Sequence, residues 1–131
     1  MILTTALVDK IQHATAAAAM APKGHIDQEA ASNNGLALFG TIGEVWLLHP
    51  DGSLWRVDSD FGLPLEPLPE ELHTIAIVAG VQRYPWLAEL LPPRPAGAIA
   101  CTECAGTGKV GPGSCYFCRR CSGLGWITTA V

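Results

Sequence analysis

The chain closes on two copies of one short phrase, and nothing else in it restricts the fold as tightly. Cys101-Thr102-Glu103-Cys104-Ala105-Gly106-Thr107-Gly108 and Cys118-Arg119-Arg120-Cys121-Ser122-Gly123-Leu124-Gly125 both read CxxCxGxG. Cysteines two residues apart can aim both sulfurs at one ion from a tight turn. Zn²⁺ takes four such ligands in a tetrahedron, and thiolate sulfur suits it. The glycines behind each pair tolerate the positive φ that a chain bending round an ion needs, and they turn backbone N–H groups towards the sulfurs. The expected ligands are Cys101, Cys104, Cys118 and Cys121, around one structural Zn²⁺. Cys115 forms a further CxxC with Cys118, so a set of Cys101, Cys104, Cys115 and Cys118 stays open. The trailing Gly-x-Gly favours Cys121 over Cys115 and leaves Cys115 as a spare thiol.

Two other chemistries compete for these cysteines. Disulfides suit an oxidising compartment. The cysteines number five, an odd count, and all fall between Cys101 and Cys121. A thiol–disulfide oxidoreductase would place its CxxC at a helix start after a strand, and no such pattern surrounds either pair. A catalytic zinc keeps one position open for water, whereas four cysteines close the shell. No histidine follows His73, so the segment offers no base. The protein is therefore expected to be non-catalytic. Lys109, Arg119 and Arg120 can offset the negative charge that four thiolates place around one Zn²⁺.

The paired phrase resembles the cysteine-rich zinc domain of DnaJ-type cochaperones. That family carries four such repeats, which build two zinc centres from paired knuckles; this chain carries two repeats, enough for one centre. The resemblance spans residues 101–125 only. It implies ligand roles for Cys101, Cys104, Cys118 and Cys121, and bend roles for Gly106, Gly108, Gly123 and Gly125. It also implies a chaperone-like, protein-binding function. His49-Pro50-Asp51 spells the J-domain tripeptide, which in that family joins two helices. Here Glu44–His49 and Leu54–Asp58 flank it with strand-like residues, and Pro50-Asp51-Gly52 is turn chemistry. The expectation is a hairpin turn.

The chain has 131 residues, 49% of them hydrophobic and 15% charged, which is ample for a core and excludes general disorder. A net charge of −4 argues against non-specific nucleic-acid binding. The cysteine-rich segment itself is mildly basic. Arg119 and Arg120, with Tyr116 or Phe117 for stacking, keep a zinc-ribbon-like nucleic-acid contact open as an alternative. A small immunity or antagonist protein is a further alternative that composition does not separate from an adaptor. No stretch reaches the roughly 18 apolar residues of a membrane span. The N-terminal apolar run has no basic residue before it, and Asp9 and Lys10 break it, so a signal peptide is not expected. A reducing, cytoplasmic location follows.

The fold class expected is α+β: a small antiparallel β-meander packed with helices over residues 1–95, and a zinc-knuckle unit over 96–131. Leu7, Ile11, Ala14 and Ala18 recur at helical spacing within Thr4–Met20, with Thr4 or Thr5 as cap. Ala21–Gly35 reads as polar connection ending in an Asn-Asn-Gly turn. Leu36–Ile42, Glu44–His49 and Leu54–Asp58 read as three strands. Trp46 and Trp55 then face each other across the meander, or one of them lines a groove. Asp58–Pro69 reads as a solvated loop in which Asp58, Asp60 and Glu66 form no carboxylate site. Glu70–Ala79 reads as a helix with Leu72, Ile75, Ala76 and Ala79 inward, ended or kinked by Gly80. Pro85–Leu91 reads as a short helix with Trp86, Leu87 and Leu90 inward, and Pro92–Pro95 as a stiff linker. The partner expected is another protein, with Trp46, Trp55, Arg119 and Arg120 as candidate contacts.

Overall fold

The computed structural model describes residues 3–41, 43–58 and 63–128. The chain forms two compact units: Met1–Gly40 with Glu44–Glu70, and Thr41–Gly43 with Glu71–Val131. The architecture is α+β, with helices and a small antiparallel sheet.

In the first unit, helix α1 spans Thr5–Ala18. Thr4 caps it by accepting a hydrogen bond from the Leu7 N–H at 3.2 Å. Leu7, Ile11 and Thr15 are its buried residues, one turn apart. The Thr15 hydroxyl donates to the Ile11 carbonyl at 2.7 Å, so burying it leaves no polar atom unmatched. Helix α2, Ile26–Ser32, occupies the stretch expected as polar connection. His25 caps it through Nδ1, which accepts from the Asp27 N–H at 3.1 Å. Asp27 and Glu29 sit in its first turn, where the helix dipole favours acids. Its apolar face is too short to announce itself: of its residues only Asp27 and Ala30 are buried.

The sheet runs β1 (Leu36–Phe39), β2 (Val45–Leu48), β3 (Leu54–Asp58) and β4 (Leu63–Pro67), in that order and all antiparallel. The fourth strand corrects the expectation of a three-stranded meander followed by a loop. It lies at the sheet edge, where a strand tolerates prolines such as Pro64 and Pro67. Glu66 is paired rather than simply solvated: it stands opposite Arg56, and Arg56 Nη1 reaches its Oε1 at 3.0 Å. Ile42, expected to close the first strand, and Asp60 lie outside the described residues.

Register sets the sheet faces. Leu47 stands opposite Trp55, and Trp46 opposite Arg56. Neighbouring residues of a strand point to opposite faces, so the two tryptophans do not face each other. Trp55 borders the cluster of Ala30, Ala37 and Leu47, which joins α2 to one face of the sheet. Leu36, Leu38 and Leu48 are fully buried on the other face, which Trp46 shares.

His49-Pro50-Asp51 lies in the β2–β3 hairpin, as its flanks predict. The His49 N–H donates to the Ser53 carbonyl at 3.0 Å and the Gly52 N–H to the His49 carbonyl at 2.9 Å. Asp51 Oδ1 accepts from the Ser53 N–H at 2.8 Å and from the Ser53 hydroxyl at 2.6 Å. The hydroxyl in turn accepts from Trp55 Nε1 at 3.0 Å.

A 3₁₀ turn over Glu70–Leu72 leads into helix α3, His73–Val81, which belongs to the second unit. Ile75, Ala76, Ile77, Ala79 and Gly80 are buried, so the helix is covered on more than one side. Gly80 does not end it, because the helix continues through Val81. A further 3₁₀ helix, Pro85–Leu90, follows with Pro85 in its first turn and Leu87 buried. The cysteine-rich segment then forms two short ribbons. Strand β5 (Ile99–Ala100) pairs with β8 (Trp126–Ile127), and β6 (Lys109–Val110) with β7 (Tyr116–Phe117). Among the described residues no helix is long and apolar enough to cross a membrane.

Candidate metal centre

The ribbons bring four sulfurs to one point. The Sγ atoms of Cys101, Cys104, Cys118 and Cys121 all lie within 4.8 Å of one another, and all four residues are buried. Cys101 Sγ is 3.8 Å from Cys118 Sγ, and Cys104 Sγ is 3.7 Å from Cys121 Sγ. A tetrahedron with metal–sulfur distances of about 2.3 Å has sulfur–sulfur edges of about 3.8 Å. The Cys101–Cys118 and Cys104–Cys121 separations match that edge, and no pair of the four exceeds 4.8 Å. None of the five cysteines is bonded to another. Cys115 is exposed and stands outside the cluster.

Each knuckle is built the same way, and a shift of 17 residues maps Cys101 onto Cys118 and Cys104 onto Cys121. The Gly106 N–H donates to the Cys101 carbonyl and the Gly123 N–H to the Cys118 carbonyl, both at 3.0 Å. The Gly108 N–H donates to Cys104 Sγ and the Gly125 N–H to Cys121 Sγ, both at 3.2 Å. The knuckles also close on one another. The Cys101 N–H donates to the Gly125 carbonyl at 3.0 Å and the Cys118 N–H to the Gly108 carbonyl at 2.8 Å. The ribbons obey the same two-fold relation, since the strand before each knuckle pairs with the strand after the other.

The turn that makes each N–H···S bond possible needs a run of left-handed backbone. Ala105 and Ser122 have φ of 54° and 53°, and Gly106 and Gly123 both have φ of 80°. The sequence points to the glycines. Ala105 and Ser122 carry no such signal, and the structure adds them as matched positions where the bend is strained in both repeats.

The electrostatics of the ion-free cluster suit a cation. At Cys104, burial pushes the thiol up. The N–H of Gly108 and the thiols of Cys121 and Cys101 outweigh it, holding the group down at about 7. At Cys121, burial dominates and pushes the thiol up to about 12, with its thiol neighbours adding to the rise. The two thiols titrate as a coupled pair, and a cation bound among the four sulfurs would favour their thiolate forms.

No family model, curated protein or solved structure matches this chain. The site rests on its own geometry, which is that of a metal-binding cysteine cluster such as a cysteine-rich zinc domain carries.

The remaining candidate residues are dispersed. Trp46 is buried in β2, and Trp55 is half-buried with its indole N–H held by Ser53. Arg119 and Arg120 are exposed on the second knuckle, between its two ligands. Lys109 Nζ stands 5.8 Å from the centroid of the Phe117 ring. The sequence reading passed over a groove beside the second knuckle, lined by Thr74, Pro92, Arg120, Leu124, Trp126 and Ile127 among others. The sequence did hold a signal for it: the two repeats differ most where they do not touch the metal.

Proposed function

We propose that this protein is a non-catalytic, zinc-binding protein-interaction module. One Zn²⁺ in a closed shell of Cys101, Cys104, Cys118 and Cys121 fixes the knuckles, and the surface they carry receives another protein. The carrying observation is the set of four buried sulfurs with edges of 3.7 and 3.8 Å. Four soft thiolates in a tetrahedral arrangement favour Zn²⁺ over harder divalent ions. A closed shell leaves no position for water or substrate, so the metal's role is to hold the fold. Burial of both CxxC pairs in a single centre argues against a thiol–disulfide oxidoreductase, which needs an accessible nucleophilic sulfur. Reduced thiols fit a reducing compartment such as the cytoplasm. A chaperone-like version of this role rests on the family resemblance alone.

The test is metal analysis of the purified full-length chain with X-ray absorption at the zinc edge. One zinc per chain with four sulfurs at about 2.3 Å is expected. A folded, metal-free protein with its cysteines joined as disulfides would overturn the proposal. The chaperone-like version is tested separately by aggregation of a denatured client, and no suppression at excess protein removes it.

A further inference from the structure

The two knuckles share one backbone and one ion, so differences between them are not demanded by the metal. At the positions related by the 17-residue shift, the second knuckle has Arg119 for Thr102, Arg120 for Glu103, Leu124 for Thr107 and Trp126 for Lys109. Three of these four replacements line one open groove of about 560 Å³, which Thr74 of α3 and Pro92 also line. That volume falls in the range of ligand clefts. The second knuckle is held beside α3 by close packing: a Cβ placed on Gly123 would lie 3.3 Å from Val78 Cγ1.

The groove has an apolar wall and a charged rim. Pro92 is exposed, and Leu124, Trp126 and Ile127 are half-buried, so apolar surface lies open to solvent. Arg120 stands at the rim with Arg119 next to it, both exposed. Among the described residues neither guanidinium has an ion-pair, hydrogen-bond or ring partner, whereas Arg56 is engaged by Glu66 and Arg83 lies over Tyr84. The knuckle backbone does not require the two arginines, because the first knuckle carries Thr102 and Glu103 at the same positions.

We infer that the groove between the second knuckle and α3 is a docking site for an acidic, aliphatic peptide segment of a partner protein, with Arg119 and Arg120 binding carboxylates and Leu124, Trp126 and Ile127 receiving the apolar side chains. A guanidinium matches a carboxylate with two parallel hydrogen bonds. Tryptophan and arginine side by side are the residue types that dominate protein interfaces. A nucleic acid fits less well. Binding a polyanion relies on many phosphate contacts, and this groove offers two guanidiniums on a chain of net charge −4. The inference rests on the reading of the protein as a zinc-held interaction module.

The experiment uses the zinc-loaded full chain and a fluorescein-labelled decapeptide of alternating leucine and aspartate, followed by fluorescence anisotropy. Saturable binding of one peptide per chain is expected, weakened about tenfold or more when lysine replaces aspartate. The double variant Arg119→Thr/Arg120→Glu copies the first knuckle onto the second, so it keeps a sequence that already folds around the ion. It is expected to lose about tenfold or more in affinity. The mirror variant Thr102→Arg/Glu103→Arg is expected to bind as the parent does, and Arg120→Gln to fall between. Zinc content is measured on every protein. Undiminished binding by the double variant, equal binding of the lysine peptide, no binding by the parent, or tighter binding of oligothymidylate would each overturn the docking site. If zinc is present in those cases, the metal reading stands; absence of zinc from the parent overturns that reading instead.

Discussion

Gly125 and Gly106 meet across the metal centre: a Cβ built on Gly125 would lie 2.6 Å from the Gly106 carbonyl oxygen. The two-fold counterpart sets Gly108 against the Gly123 carbonyl in the same way. The second glycine of each phrase is therefore required by the opposite knuckle and not only by its own turn. This explains why CxxCxGxG occurs as a pair. A single knuckle would have no backbone to pack its last glycine against and only two of the four sulfurs.

Alanine at these glycines should sort by what surrounds them. Gly125 has φ of +86° and a backbone carbonyl in the way, so Gly125→Ala combines left-handed strain with an overlap that cannot rotate aside. A loss of roughly 2–5 kcal/mol is expected. Gly106 has φ of +80°, but the nearest atom to its Cβ is that of Ala100 at 3.4 Å, an ordinary contact. Gly106→Ala should lose only the strain, about 1–2 kcal/mol. Gly97 has open space and no positive φ, so Gly97→Ala should be neutral. Thermal melts of the zinc-loaded proteins check the order, and equal effects at Gly125 and Gly97 would refute it.

Serine substitutions should separate the ligands from the bystander. Cys101→Ser, Cys104→Ser, Cys118→Ser and Cys121→Ser each remove one corner of the cluster and should weaken zinc by at least about a hundredfold. Cys115 is exposed and outside the cluster, so Cys115→Ser should retain one zinc per chain. Stripping the ion with a chelator should expose the amides of Gly108 and Gly125, whose acceptors are the sulfurs themselves. Because Gly123 packs against Val78, amide exchange should also quicken in α3. Exchange confined to residues after Ala98 would mean that α3 does not depend on the ion.

The elements legible in the sequence were those whose signals are local. The β2–β3 hairpin follows from alternating strand residues around Pro50-Asp51-Gly52, and α1 from its apolar spacing and Thr4. The cysteine cluster follows from ligand spacing. What stayed hidden depends on tertiary placement. Helix α2 has few buried residues and so writes no stripe, and β4 contains two prolines that its edge position tolerates. Gly80 sits inside α3 because the helix is buried there, which overrides its preference for ends. The relation of Trp46 to Trp55 was invisible because one residue of register decides which face each occupies.

Asp51 supplies a test of what the His49-Pro50-Asp51 tripeptide does. Its carboxylate accepts two bonds from Ser53, which hold it below the ordinary value of 3.8. A carboxyl depressed in the folded state contributes stability above its unfolded value and loses it as the pH falls through the folded one. Asp51→Ala should therefore destabilise the protein by about 0.5–1.5 kcal/mol at neutral pH. The difference from the parent should shrink as the pH falls below 3.8. Urea melts at pH 7 and pH 3 check both halves, and a deficit that persists unchanged at pH 3 would assign the effect to something other than the carboxylate.

Zinc uptake should release protons in a pH-dependent number. Ions bind the thiolate, so every thiol still protonated in the ion-free cluster must give up its proton. Without the ion, Cys104 is held at about 7 while burial pushes Cys121 to about 12. Below neutrality both must release a proton, so apparent affinity should rise steeply with pH. Above it Cys104 is already ionised, whereas Cys121 still gives up its proton, so the rise continues with a smaller slope. The count of protons released per zinc should accordingly drop by about one as the pH passes from 6 to 8. Calorimetric titrations in buffers of different ionisation enthalpy read that count directly. A count that does not change over this range would mean that the Gly108 N–H and the neighbouring thiols do not lower Cys104. Where the parent shows the step, the Cys104→Ser variant, which retains the other three thiols, should lose it.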